Sequence, residues 1–472
     1  MIDRSANRHP TRLEAAAALH ATLFLIGVSW AFGGNADWVR TPISVWGSLS
    51  VLVTVIAFAS PGSGKTNKAP AAWMLPIIIL NALVLASCFS PGFRDLAYGS
   101  GHYLMPLNVP WWRPSAARPE LALRALWLFD GIYLSCFNIM LVITHRSVIR
   151  LMLAFLVGNA LALAVFGTVQ KLAGATGLYF GSVKSPQDYF FASFVYDNHW
   201  SSFALLMLGA CLGLTIRYSS GAERGGFLRG PTFFGIVAAF LVGVTIPLSG
   251  SRFCTLLLAV LVLVAVVKGT PTIYRVLRIT EMPRAAANLL LAATVAAVLV
   301  GAWLIIGQFF AARVVKAGLQ VRDMWAQGGI GSRGVLYRDT WRMALDRPLF
   351  GWGMGSYPSV FPLYNSQPAT LLDHIPVVYH DAHSDWIQSL AELGFAGTAL
   401  LGTSVALPAL SMRKLRISRL PFFLLLGCVL VGSYAWIEFP FGNVAVVLAW
   451  WFCFSCAVQY TRLSAQTAGP RA

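Results

Sequence analysis

The chain is poor in charge. Of its 472 residues 11% are Asp, Glu, Lys or Arg, while 57% are hydrophobic; a soluble domain carries roughly 25% charge. That excludes an ordinary soluble fold and points to a protein of the bilayer. Acidic residues are the scarcer sign, 18 against 35 basic, for a formal charge of +17. The excess does not argue for nucleic acid, because the basic residues sit in short clusters between apolar runs, as the positive-inside rule expects. Cysteine is sparse too. Cys88, Cys136, Cys211, Cys254, Cys428, Cys453 and Cys456 all fall in apolar runs, which argues against a disulfide framework. Cys453 and Cys456 have the spacing of a redox motif without its context, so packing is expected of them. No HExxH metal signature and no repeat relating two halves of the chain is present. The apolar runs exceed the core of a signal peptide, so no cleavable leader is expected.

Long apolar runs are what the chain does have. A span needs about 20 mostly apolar residues. About twelve are expected, at 15–33, 42–59, 70–90, 121–143, 148–171, 197–217, 231–249, 252–268, 286–310, 386–410, 420–437 and 441–460. The fold class is therefore all-α, a polytopic integral membrane protein with one long loop region. Three parts follow: a bundle over 1–310, a polar loop region with short helices over 311–385, and a bundle with a short tail over 386–472. Within the loop, apolar spacing predicts a helix around Val335–Leu345.

Orientation follows from Lys and Arg. With the N-terminus inside, every short inner loop is basic: Arg146 and Arg150, for example, or Arg413, Lys414, Arg416 and Arg419. Both termini are then cytoplasmic. The loops near 34–41, 91–120, 172–196, 249–252, 311–385 and 438–440 share the outer face, the periplasmic one in a bacterium. That brings Asn198-His199, Ser249-Gly-Ser-Arg252, the long loop and Glu438 to one side of the membrane. Ionisable residues at span ends are functional candidates by default.

Three patterns resemble chemistry but lack its context. Lys65-Thr66 ends a loose phosphate-loop pattern, yet a span precedes it and no helix N-terminus is expected after it. His380-Asp-Ala-His383, with His374 and Asp385 nearby, has short spacing but no second ligand cluster, so no metal is expected. Gly351-Trp-Gly353-Met-Gly355 has no βαβ unit around it and is expected to form a turn near the membrane surface.

The informative stretch runs from Arg313 to Asp385. Gly331-Ser-Arg333-Gly-Val-Leu336-Tyr-Arg-Asp-Thr-Trp341-Arg-Met-Ala-Leu345, then Arg347-Pro348-Leu-Phe-Gly351-Trp-Gly353-Met-Gly355, resembles the loop of the O-antigen ligase and O-antigen polymerase superfamily of bacterial membrane glycosyltransferases. His383-Ser384 with Leu390, Glu392-Leu393-Gly394 and Gly397 resembles that family's histidine motif. Asn198-His199, Ser249-Gly-Ser-Arg252, Glu438-Phe-Pro440 and Trp112-Arg-Pro-Ser115 through Pro119 also fit.

The resemblance implies transfer of a glycan from an undecaprenyl-pyrophosphate carrier to an acceptor hydroxyl, on the periplasmic face of the inner membrane, with inversion and with no metal ion or other cofactor. The acceptor would be a lipid A core sugar for a ligase, another carrier-linked glycan for a polymerase, or a protein. By resemblance Arg252 and Arg333 bind the pyrophosphate and His383 is the catalytic histidine. Physical chemistry agrees. Guanidinium groups pair with phosphate oxygens in bidentate fashion, and fixed cations stabilise a charged leaving group. A histidine suits removal of the acceptor proton near neutrality. Arg338, His199, Asp381 and Glu438 are accessory candidates, Asp381 as a residue that could orient His383. Arg338, Arg342 and Arg347 are also candidates for binding anionic headgroups alone. Trp325, Tyr357, Tyr364 and Tyr379 are candidates for stacking on sugars. The competing reading is a twelve-span transporter or flippase. Against it stand the missing repeat and the gathering of polar residues at one face.

Overall fold

The computed structural model of the chain describes residues 9–59, 68–98, 101–187, 189–219, 230–279, 285, 331–366, 371–372, 375–376 and 379–468. In chain order the membrane helices are α1 (Arg12–Trp30), α2 (Asp37–Ala59) and α3 (Pro70–Cys88). A hairpin, β1 (Phe93–Tyr98) with β2 (Gly101–Pro106), follows. Then come α4 (Pro119–Val142), α5 (Arg146–Leu172), α6 (Asp197–Ser219), α7 (Pro231–Ser249) and α8 (Arg252–Ile279). α9 (Gly331–Asp346) and the single turn α10 (Tyr357–Val360) belong to the loop region. A second small hairpin pairs β3 (Leu371–Leu372) with β4 (Ile375–Pro376). The chain ends with α11 (Asp385–Ser411), α12 (Arg419–Tyr434) and α13 (Val444–Ala468).

Ten of the described helices are long and apolar enough to cross a membrane, and α12 is a shorter apolar helix. The protein is a polytopic membrane protein. Most of these helices coincide with the expected spans to within a few residues, while α8 runs on to Ile279 and α13 to Ala468, well past the expected ends at 268 and 460. The ninth expected span, 286–310, lies outside the described residues, as do Lys65, Thr66, Trp325 and His374. The two hairpins were not foreseen. β1 and β2 lie between spans, where apolar periodicity carries little information.

Two helices form the centre of the bundle: 94% of the α6 window and 89% of the α13 window are buried inside the protein, against 22% for α8. Close approach explains how α6 reaches its neighbours. A Cβ on Gly209 would lie 2.8 Å from the carbonyl oxygen of Phe423 in α12, and one on Gly47 of α2 would lie 2.9 Å from the Cα of Gly131 in α4. In lipid, where apolar burial gives no preference between helix and solvent, such small-residue contacts drive helix association. Polar pairs add to it. The Trp30 indole N–H donates to Asn159 at 2.8 Å, and Thr54 donates to Asn138 at 2.9 Å. Cys453 and Cys456 are fully buried in α13, as packing residues would be.

α11 is broken near its start. Gly394 adopts φ 64°, ψ −174° inside the helix. The freed backbone groups are taken by the glycine-rich run. The amides of Trp352 and Gly353 donate to the carbonyls of Ala391 and Glu392, while those of Phe395 and Ala396 donate to Pro348 and Leu349. The Glu392 carboxylate accepts from the amides of Gly355 and Tyr357 at 2.9 and 3.0 Å. Gly351 and Gly353 have φ of 69° and 100°, and a Cβ on Gly351 would sit 2.4 Å from the backbone of Glu392. The expected surface turn is therefore an interlock that fixes the loop region onto span α11.

Candidate active site

His383 stands just before α11, with φ +54°, a left-handed conformation unusual for a residue with a side chain. Ser384 caps the helix, its side chain accepting the Ile387 amide. The connection between α12 and α13 folds around this start. The Asp385 amide donates to the carbonyls of Ala435 and Glu438 at 3.0 and 3.3 Å. The Asp385 carboxylate accepts the Phe441 amide at 2.8 Å. This clasp brings Glu438 to His383.

Glu438 is the hub. Its side chain is 3% exposed. Oε1 accepts from His383 Nδ1 at 2.8 Å. Oε2 accepts from Arg333 Nη2 at 3.1 Å, from Asn198 Nδ2 at 2.7 Å and from the Tyr196 hydroxyl at 3.3 Å. A buried carboxylate without partners would cost several kcal/mol; four donors offset that here. Because a carboxylate only accepts, the proton of neutral His383 belongs on Nδ1, which leaves the Nε2 lone pair free to take a proton. His383 Nε2 has no hydrogen-bond partner among the described residues.

The residues that gather at Glu438 come from distant parts of the chain, and the middle of that chain has a known likeness. Residues 237–402 match the family model described as O-antigen ligase. Over that range the chain is similar to an O-antigen ligase domain. No curated protein matches the chain. The matched range contains Arg252, Arg333, Arg338, Asp381 and His383 but not His199 or Glu438, so segments outside the matched range complete the polar centre.

Arg333 begins α9. Burial works against its charge, but the Glu438 carboxylate together with the Tyr196 and Tyr337 phenols outweighs this and holds the guanidinium above its ordinary pKa. One turn on, the Tyr337 hydroxyl lies 2.9 Å from the His383 carbonyl and 3.1 Å from that of Ile437, and donates between them. It ties α9 to both halves of the His383–Glu438 pair. Burial raises the Tyr196 phenol, and Glu438 raises it further. Tyr196 and Tyr337 are functional candidates that the sequence reading missed. For Tyr337 the signal was its place four residues after Arg333, on the same helix face.

His199 is buried, 2% exposed. Its Nε2 donates to the Phe439 carbonyl at 3.1 Å and its Nδ1 accepts from Asn35 at 3.4 Å. The Phe439 ring stacks on Tyr196 at 5.4 Å, and His383 and His199 meet it edge-on at 4.7 and 5.1 Å. His199 thus holds the Glu438–Phe439 backbone. Arg252 is exposed at the first residue of α8. Next to it, Phe253 stacks on Tyr434 at 5.3 Å, which sets the start of α8 against the end of α12, about one turn before Glu438.

The other expected residues sit elsewhere. Arg338 and Arg342 approach Asp339 at 3.4 and 3.9 Å and do not reach Glu438. Arg347 is buried with its guanidinium 4.3 Å over the Trp352 ring, not presented to headgroups. Asp381 makes no hydrogen bond to His383; Glu438 takes that place. Burial raises the Asp381 carboxyl, while His383, His380 and Arg40 pull it down. Tyr357 is fully buried and donates or accepts at Thr340, so no sugar ring can stack on it. No three His, Cys, Asp or Glu side chains gather to hold a metal ion among the described residues.

Proposed function

We propose that this protein transfers a glycan from an undecaprenyl-pyrophosphate carrier to an acceptor hydroxyl, with inversion, at the periplasmic face of the bacterial inner membrane. The family match supports an O-antigen ligase or polymerase enzyme acting on lipid-linked glycans. The observation that carries the finer reading is the Arg333–Glu438–His383 arrangement, a cation and a base on one buried carboxylate.

In this reading His383 Nε2 removes the proton of the acceptor hydroxyl as that oxygen attacks the anomeric carbon. The bond from that carbon to the pyrophosphate oxygen breaks, and the leaving carrier keeps the electron pair. Arg333, with Arg252, pairs with the negative charge that develops there. Glu438 fixes the tautomer of His383 and stabilises the imidazolium once it forms. The apolar exterior of the bundle lies in the bilayer beside the polyprenyl chain. Both chain termini are then cytoplasmic, as the basic inner loops suggest.

The test is transfer from a synthetic undecaprenyl-pyrophosphate glycan by purified protein in EDTA. His383→Ala and Arg333→Ala, each shown to be folded, are expected to lose activity by about 10²–10⁴-fold and 10²–10³-fold. Full activity of His383→Ala would remove its assignment as the base. Loss of wild-type activity in EDTA, restored by a divalent cation, would overturn the metal-independent reading.

A further inference from the structure

Glu438 has one charge and two claimants. Oε1 is held by His383 at 2.8 Å and Oε2 by Arg333 at 3.1 Å. The three differ in freedom: the side chains are 3% exposed for Glu438, 29% for His383 and 50% for Arg333. The carboxylate is locked in place, because Asn198 and Tyr196 also hold Oε2. Arg333 is the partner that can leave. Among the described residues its other hydrogen bond is a long one, 3.4 Å, to the Ile437 carbonyl.

Resting on the donor chemistry proposed above, we infer that Glu438 couples donor binding to the strength of the base. A diphosphate that draws the Arg333 guanidinium to itself leaves the Glu438 charge to His383 alone. His383 then holds a proton more tightly, so it becomes a competent base when a leaving group is present and a weaker one when none is. By linkage, protonation of His383 must in turn favour donor binding.

Other charged and titratable groups face the pair. α9 contributes Arg333 and Tyr337, the start of α6 contributes His199 with Tyr196 before it, and α12 and α8 contribute Tyr434 and Cys254. The segment of His383 itself adds His380, Asp381 and Asp385, and α2 adds Arg40 near Asp381. The test must therefore show that the responding proton is on His383 and that the signal passes through Glu438.

The measurement is proton uptake on binding, by calorimetry in buffers of different ionisation enthalpy. The probe is a polyprenyl methylenediphosphonate carrying a methyl ester on its outer phosphonate, which has no glycan to transfer and does not titrate near neutrality. Wild type is expected to take up a measurable fraction of a proton per bound probe, and His383→Gln none. Glu438→Gln and Arg333→Gln are each expected to lose most of the uptake, one by removing the shared charge and the other by removing the partner that leaves. Uptake that persists in His383→Gln, or is unchanged in Glu438→Gln that still binds the probe, overturns the coupling but leaves the transferase reading intact. If Glu438→Gln does not fold, Arg333→Gln decides: uptake equal to wild type overturns the coupling. Failure of wild type to bind the probe overturns the transferase reading and the coupling with it.

Discussion

Replacing Glu438 by Gln keeps the shape of the hub and removes its charge. The amide has one oxygen and one nitrogen where the carboxylate has two acceptors. If its oxygen faces Arg333, Asn198 and Tyr196, its N–H₂ points at His383 Nδ1. That nitrogen must then accept, so the His383 proton moves to Nε2, where the acceptor hydroxyl needs a base. If the amide is reversed, its N–H₂ faces three donors instead. In the first orientation the charge-assisted bond from His383 is lost and that from Arg333 weakened; in the second, all three donors on Oε2 lose their acceptor. A hydrogen bond to a charged group is worth roughly 1.5–3 kcal/mol. At about 1.4 kcal/mol per decade, loss of one such bond in the transition state slows the reaction about 10–150-fold. A histidine forced into the wrong tautomer by an acid-to-amide change costs about 10⁴-fold in a serine protease. The expected fall in kcat/KM for Glu438→Gln is therefore about 10²–10⁴-fold, measured as transfer from a synthetic carrier-linked glycan. Donor binding and thermal unfolding must be followed on the same sample. A folded Glu438→Gln enzyme within threefold of wild type would refute the reasoning, and with it the role given to the hub.

Four further outcomes follow from the same contacts. Tyr337→Phe removes the donor shared by the His383 and Ile437 carbonyls; kcat should fall by about tenfold or more with a smaller change in KM, and equal shifts in both would point to donor affinity instead. Gly351→Ala forces a side chain into a left-handed position 2.4 Å from Glu392, so thermal unfolding should show a loss of about 2 kcal/mol or more. Asp339 is buried, yet the Ser366 hydroxyl and amide with Arg338 outweigh that burial and hold its carboxyl below the ordinary value. Its stabilisation is then complete above the unfolded pKa of about 3.9 and is lost as pH falls through the lower folded value, so unfolding of Asp339→Asn should lack the part of the acid dependence below about pH 4 that wild type shows. Arg338→Ala is expected to keep most of the transfer activity, since Arg338 lies on Asp339 and Ser366 and away from Glu438; a loss as large as that of Arg333→Ala would show that it binds substrate.

Much of the membrane fold was legible because a span is a composition as much as a pattern. Twenty apolar residues between basic ends identify α4 or α7 without any knowledge of their neighbours. The site was legible in part, as residue types at span ends: Arg252, Arg333, His383, His199 and Glu438 were all singled out. Their wiring was not. Asp381 was the natural partner for His383 by closeness in sequence, but the clasp of Asp385 on Ala435, Glu438 and Phe441 brings a residue 55 positions away to His383 Nδ1. Long-range contacts of this kind leave no periodicity to read. Tyr357 was misjudged for a related reason: its phenol and ring read as surface chemistry, while α10 turns it into the core beside Phe361 at 4.9 Å. The glycine-rich run was read correctly as a turn, but its purpose needed the kink at Gly394, which only a broken helix reveals.

The break at Gly394 and the hub at Glu438 belong to one mechanical unit. α11 begins at the His383 turn, and about two turns later Glu392 and the kink grip the loop that carries Gly351 to Gly355. That loop follows directly from α9, whose first turn carries Arg333. Arg333 is thus anchored at both ends of its helix: by Glu438 at the start, and through the interlock at the finish. A helix pinned at its far end keeps its position when the near ion pair opens. Release of the Arg333 side chain toward a phosphate therefore need not displace Tyr337, whose hydroxyl still bridges the His383 and Ile437 carbonyls. The guanidinium can change partner while the histidine and its carboxylate stay in register, which is what charge transfer between them without loss of geometry requires.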